Sequence, residues 1–447
     1  MTNPRFLLLL TSMFLIYTQG LWERITGFSP TTMLILESAV WLYLLLSIKY
    51  LRKETPGNIL FIVYLCFSLL TSILNGSGTL AWIKYIRYFV YFYLIFLTLY
   101  HTHISHKQWD LLFKLAVFLI LIQGLGAAYT TFILNLRIEG YVGLMSSLGG
   151  STASIFPLMI ISLSILVYLF NTQQNSKLNL ILLGFVISAS LVGYSSGKRA
   201  IFFTIPLFLI IAVILSIHHF VKRPSFYRRL GILIFIISLI SPFYFLGIKT
   251  TKGINYLISG NETNIELLQN AFEYAVDYEG SVSYKGLNTG RAGSTAQIVS
   301  QSTKNLNLFV FGKGYGSIKD ESTTSSLGVL YGIVGFTRDI ISGGWIVMLL
   351  TVLILVKVIL TNRSLESKFT KALRLLILFI FLVTHFGYSS DFTVTLKINF
   401  LLAILYALIN SPVHALCLES ILLKYFSKFE NVEDPPHTIC NGSPVIF

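Results

Sequence analysis

Residues 340–360 read IISGGWIVMLLTVLILVKVIL, a run whose one charged side chain, Lys357, stands near its end. An α-helix rises about 1.5 Å per residue, so roughly 20 such residues cross about 30 Å of hydrocarbon with every backbone group bonded internally. This stretch reads as a membrane-spanning helix. Further apolar runs lie near 5–22, 30–49, 58–75, 79–100, 109–134, 152–171, 178–195, 200–219, 230–248, 370–387 and 395–411. The composition agrees: 54% of the 447 residues are hydrophobic and 12% are charged, whereas soluble domains carry about 25% charged residues. The expected fold class is therefore all-α, a polytopic membrane helix bundle of about twelve transmembrane helices. The first run lacks the small-residue cleavage pattern of a signal peptide and reads as the first helix.

A net charge of +14 would suggest nucleic acid in a soluble protein, but in a membrane protein its distribution among loops reports topology, and no nucleic-acid partner is expected. Lys and Arg collect in alternate connections: Lys49, Arg52 and Lys53; Lys222, Arg223, Arg228 and Arg229; Arg363, Lys368 and Lys371; Lys424 and Lys428. The positive-inside rule puts these connections and both termini in the cytoplasm. The expected organisation is helices one to nine over residues 1–248, one large external loop over 249–339, helices ten to twelve over 340–411, and a cytoplasmic tail over 412–447. Cys66, Cys417 and Cys440 suggest no disulfide framework, and metal-ligand spacings are absent, so no metal or other cofactor is expected.

The long loop carries the most polar chemistry. Residues 261–280 have apolar positions at helical spacing and read as an amphipathic helix. Residues 287–316, LNTGRAGSTAQIVSQSTKNLNLFVFGKGYG, predict a second helix from about Arg291 to Lys304 with Thr289 as its N-cap. An arginine at a helix N-terminus faces the positive end of the dipole, which favours an anion there. Gly290, Gly312 and Gly314 read as residues that set the loop's shape, because the run lacks the order of a nucleotide-binding glycine motif.

Cations on the expected external side are few. They include Lys198 and Arg199 in the tight turn GYSSGKR that starts at Gly193, and Arg137. Lys84 and Arg87 lie one helical turn apart in the fourth run. Snorkelling to head groups and binding of an anionic substrate are both open for this pair. Asp320, Glu321, Asp339, Asp391 and His385 are the external groups able to take a proton.

With Ser196–Arg199 after a mid-chain helix, Thr289–Arg291 in a large external loop, and Phe311–Gly314 downstream, the second half of the chain resembles the O-antigen ligase and polymerase superfamily. The resemblance implies an undecaprenyl-diphosphate-linked oligosaccharide as substrate, transferred at the external face of the inner membrane by an enzyme similar to the GT-C class of membrane glycosyltransferases. It also implies chain-length regulator and flippase proteins as partners, beside membrane lipid. Arg291, Lys198 and Arg199, then Arg87, Lys84 and Arg137, would hold the diphosphate. Arg291 with one of Asp320, Glu321, Asp339, His385 or Asp391 would form the catalytic group. The ligase branch typically has a histidine in the large loop, and this chain has none between His219 and His385. That departure favours a polymerase of surface polysaccharide over a ligase. A transporter or flippase of lipid-linked precursor is the expectation from another class.

Overall fold

The computed structural model describes residues 4–26, 30–46, 48–102, 104–135, 141–145, 152–170, 176–197, 207, 210–216, 227–234, 283–284, 287–288, 290–317, 321–329, 333–360, 368–388 and 396–410. Within them the chain is a bundle of apolar helices. Six are long and apolar enough to cross a membrane, or seven if one bent pair is counted as a single span. Helices α1 (Pro4–Tyr17), α2 (Gln19–Thr26), α3 (Pro30–Leu45), α4 (Asn58–Leu74), α5 (Thr79–His101), α6 (His106–Ala128), α7 (Thr152–Phe170) and α8 (Ser176–Ser196) make the first part. A two-stranded hairpin, β1 (Ser283–Tyr284) with β2 (Leu287–Asn288), precedes α9 (Arg291–Lys304), α10 (Leu306–Phe311) and α11 (Glu321–Ser326). Long helices α12 (Gly335–Leu360), α13 (Lys368–Leu382) and α14 (Leu396–Asn410) follow.

The expected span at 5–22 is bent instead of continuous: α1 and α2 meet at an angle of 63°. Thr18 sits at the break. Its hydroxyl donates back to the Phe14 carbonyl and accepts from Trp22 Nε1, an alternative to the helical ladder that bends helices. The start of α6 is fixed differently, by a capping box in which Ser105 and Gln108 satisfy each other's backbone donors.

The aromatic residues of α5 form the centre of the core. Phe89, Tyr91, Phe92, Tyr93 and Phe96 are all buried, and α5 packs against α14 and α4. Tyr93 stacks on Phe61 with ring centres 4.1 Å apart and donates to Asn58 Oδ1. Many large apolar side chains on the outer faces, such as Ile59, Leu80 and Leu125, are exposed, as expected of a surface solvated by lipid tails.

Helix α12 begins at Gly335, ahead of the apolar run, and so takes Arg338 and Asp339 into helical structure. It is broken at Gly344, whose φ of 76° is non-helical. The break is filled from outside. A Cβ on Gly312 would stand 2.6 Å from the Ile341 carbonyl oxygen and 2.7 Å from the Gly343 and Gly344 amides, and Lys313 N–H donates to the Ile341 carbonyl at 2.6 Å. The glycines let α10 and the following turn press onto the opened backbone of α12. The same turn rests on the α4–α5 connection, where Gly314 meets Ser77 and Asn75 Nδ2 donates to the Phe311 carbonyl. Residues 75–78, the turn at 312–317 and the first turns of α12 therefore share one end of the bundle, which we call the glycine end.

Candidate functional site

At the glycine end, Asp339 and His385 come together inside the bundle. His385 Nε2 lies 3.5 Å from Asp339 Oδ2, and the histidine side chain is fully buried. Asp339 is delivered by the short helical segment before the Gly344 break. His385 is delivered by a single π-helical turn, Val383–Tyr388, that ends α13. Such wide turns re-aim side chains and recur at functional sites. Phe381 stacks along the imidazole with centres 5.1 Å apart, and Phe386 meets it edge-on at 5.3 Å.

Neither ring nitrogen of His385 has a hydrogen-bond partner among the described residues, and Asp339 Oδ2 has none either. A buried polar group without a partner costs about 1–3 kcal/mol, and more when charged. His385 Nε2 and Asp339 Oδ2, buried and facing each other across 3.5 Å, mark a place where a proton or a polar substrate group is received. Tyr64 from α4, Tyr315 from the glycine turn and Thr351 from α12 adjoin Asp339. Burial holds the Tyr315 phenol well above its ordinary value, and the nearby Asp339 carboxyl pushes the same way. Tyr315 thus keeps its proton at neutral pH and remains a donor.

A second buried charged cluster lies between α3 and α5. Arg87 Nη2 is 3.4 Å from Glu37 Oε1 and donates to the Tyr88 hydroxyl at 2.6 Å, while Tyr91 donates to Glu37 Oε2 at 2.9 Å. The Arg87 guanidinium also lies over the Tyr88 ring, 4.6 Å from its centre. Arg87 is therefore engaged by protein groups, and Lys84 one turn away is exposed.

The remaining expected site residues divide plainly. Arg291 is the first residue of α9, as the sequence indicates, and is half-buried. The N-cap is Gly290 and not Thr289; no side chain caps the helix, and Thr289 lies outside the described residues. Helix α9 is held to α12 near its other end, where Trp345 Nε1 donates to Ser302 Oγ at 2.9 Å, about 16 Å along the helix axis from Arg291. Arg137, Lys198, Arg199, Asp320 and Asp391 lie outside the described residues, as do the 261–280 helix and the 412–447 tail. Glu321 opens α11. Among the described residues no group of three His, Cys, Asp or Glu is placed to hold a metal ion.

No protein-family model and no curated protein matches the chain. Its function is accordingly argued from its own residues.

Sequence reasoning missed Glu37, Tyr64 and Tyr315. Glu37 carried a usable signal, since an acid within an apolar run is rare and needs a partner. Tyr64 carried none, because an aromatic residue in an apolar segment is ordinarily core, and the approach of Tyr315 to Asp339 is a tertiary contact that the sequence of its glycine turn does not show.

Proposed function

We propose that the chain is a membrane glycosyltransferase that polymerises undecaprenyl-diphosphate-linked repeat units into a surface polysaccharide. In this reading the bundle has about twelve spans and is of the GT-C kind, with both termini in the cytoplasm and the glycine end outside the inner membrane. The observation that carries it is the buried Asp339–His385 pair, placed at the end of the bundle where α9, headed by Arg291, docks on α12.

Transfer of a glycan from a lipid diphosphate needs two things. A base must take the acceptor hydroxyl proton as the new bond from that oxygen to the anomeric carbon forms. A cation must neutralise the diphosphate, which leaves with the electron pair of the broken carbon–oxygen bond. The Asp339–His385 pair is assigned the first role, with Tyr315 as a neighbouring donor. Arg291 is assigned the second, aided by Lys198, Arg199 and Arg137, because a guanidinium can grip phosphate oxygens in pairs. Chain-length regulator and flippase proteins are the expected partners.

Carrier-linked glycans in a deletion strain test the reading. Single repeat units on the carrier at the external face are expected, with polymer restored by the wild-type gene. Polymer still formed but left on the carrier would instead identify a ligase. Arg291→Ala should reproduce the deletion, and Arg291→Lys should rescue poorly, since paired geometry is lost. Normal polymer in Arg291→Ala at normal expression would refute the assigned role. The same buried Asp–His pair also favours one other reading, a proton-coupled transporter of the lipid-linked precursor, because intramembrane acid–histidine pairs serve as proton relays. Repeat units trapped on the cytoplasmic leaflet would decide for it.

A further inference from the structure

Asp339 and Thr351 stand in the same helix, α12, at positions that an unbroken α-helix would hold about 18 Å apart. Yet the Asp339 carboxyl is within hydrogen-bonding reach of the Thr351 hydroxyl. Two short side chains cannot span such a distance, so the break at Gly344 is what brings them together.

Thr351 is the first of a row of buried hydroxyls. Its own proton rests on the Val347 carbonyl at 3.0 Å, and it lies within reach of the Tyr64 hydroxyl of α4. Tyr64 in turn faces Tyr315 of the glycine turn. Both tyrosines are buried, and the Tyr315 hydroxyl has no formed hydrogen bond among the described residues. Ser68 also faces Tyr315, but it is already committed, accepting from Trp82 Nε1 at 2.9 Å and donating to the Leu65 carbonyl at 3.0 Å. Ser68 therefore closes the row on the α4 side. The way out lies along the turn, where Gly316 and Ser317, next to Tyr315 in the chain, are half-buried.

Each hydroxyl in such a row can accept and donate at once, so a proton entering at one end can leave at the other. A base withdrawn from water needs a route of this kind, because it acts again only after it has lost the proton it took up. We infer that Thr351, Tyr64 and Tyr315 form a proton relay that returns Asp339 to its carboxylate form after each turnover. This rests on the base assigned above. The acid proton of Asp339 passes to the Thr351 oxygen, the Thr351 proton to Tyr64, the Tyr64 proton to Tyr315, and the Tyr315 proton to water outside the turn. Each hydroxyl oxygen gains one O–H bond and loses one, so the net products are a carboxylate and a hydronium ion. The three residues act through Asp339 and touch no substrate.

The test is polymerisation by the purified full-length protein with an undecaprenyl-diphosphate-linked repeat unit, measured in H2O and in D2O. Tyr315→Phe and Tyr64→Phe keep the rings and remove the relaying oxygens. Each should lower kcat by about 10- to 100-fold, as for loss of one hydrogen-bonded link beside a charged group, with KM unchanged. Proton release then becomes the slow step, so D2O should slow these variants more than it slows the wild type. Thr351→Ser should retain the wild-type rate, whereas Thr351→Val should behave like the tyrosine variants. Tyr93→Phe removes a buried hydroxyl bonded to Asn58 at the start of α4 and should alter neither the rate nor its sensitivity to D2O. Full kcat in both tyrosine variants, with Asp339→Asn inactive, would overturn the relay and leave the base assignment standing. Full activity in Asp339→Asn would overturn both. A lowered kcat without added sensitivity to D2O would mark a packing effect and overturn the relay. If Tyr315→Phe does not purify, Thr351 decides: equal rates in Thr351→Ser and Thr351→Val refute the relay.

Discussion

His385 Nε2 faces Asp339 Oδ2 across 3.5 Å, buried at the glycine end of the bundle, although the two residues belong to different helical elements. Two titratable groups are thereby withdrawn from water beside each other. That arrangement is costly to keep without use, since the histidine nitrogens and one carboxylate oxygen have no other hydrogen-bond partner among the described residues.

Asp339→Asn preserves volume and removes the proton acceptor. Polymerisation measured with purified protein and a lipid-linked repeat unit is expected to fall by about 10²–10⁴-fold, the usual range for loss of a general base. The melting temperature in detergent should hold or rise, because a buried carboxyl is replaced by a neutral amide. His385→Gln should cost a similar factor, and the double variant little more than either single one, as for residues that act as a unit. Losses that multiply would show that the two do not share one step.

How much of this was legible beforehand depends on the range of the interaction. The runs at 58–75, 79–100, 152–171 and 178–195 reappear as α4, α5, α7 and α8 within a few residues, because apolarity over a helix length is a local signal. Arg291 to Lys304 likewise became α9. Asp339 and His385 were both visible as external titratable groups but stood level with Asp320, Glu321 and Asp391, since the packing that unites them is tertiary. The Gly344 break was invisible because its partner, the turn at Gly312, lies in another segment. The bend at Thr18 follows from one side chain's choice of acceptor, which composition does not reveal.

The glycine turn gives a stability prediction with an internal control. Gly312→Ala places a methyl group 2.6 Å from the Ile341 carbonyl oxygen at a φ of +66°. With ψ at −152° the position lies in a region essentially confined to glycine, so overpacking and backbone strain together should cost about 2–5 kcal/mol. Gly76→Ala shares a φ of +66° but meets nothing within 4 Å, so it should cost about 1–2 kcal/mol from backbone strain alone. Thermal unfolding in detergent compares them. Equal shifts would mean that the contact with α12 yields easily.

For the Glu37–Arg87 cluster, removal of one partner is worse than removal of both. Glu37→Gln leaves a largely buried guanidinium without its counter-charge and should destabilise by about 3–5 kcal/mol, somewhat less for the 22% of the Arg87 side chain that is exposed. Glu37→Leu with Arg87→Met should recover much of that loss. The comparison of melting temperatures also bears on ligand binding: if Arg87→Met with Glu37→Leu is stable yet inactive, Arg87 has a role in the reaction beyond its ion pair.

The last prediction concerns the tether between α9 and α12. Trp345→Phe keeps the stacking on Phe309, whose centre lies 5.9 Å away, and removes the bond to Ser302. A neutral hydrogen bond contributes about 0.5–1.5 kcal/mol, so global stability should change little. The segment it anchors should loosen by a matching factor of about 2–12 in its opening equilibrium. Amide hydrogen exchange over residues 291–304 reads this directly, with α5 as the unaffected reference. Because Arg291 rides on the same helix, poorer positioning should lower kcat for lipid-linked substrate more than it weakens its binding. A variant that exchanges faster in α9 yet keeps full kcat would separate Arg291 from the chemistry at Asp339 and His385.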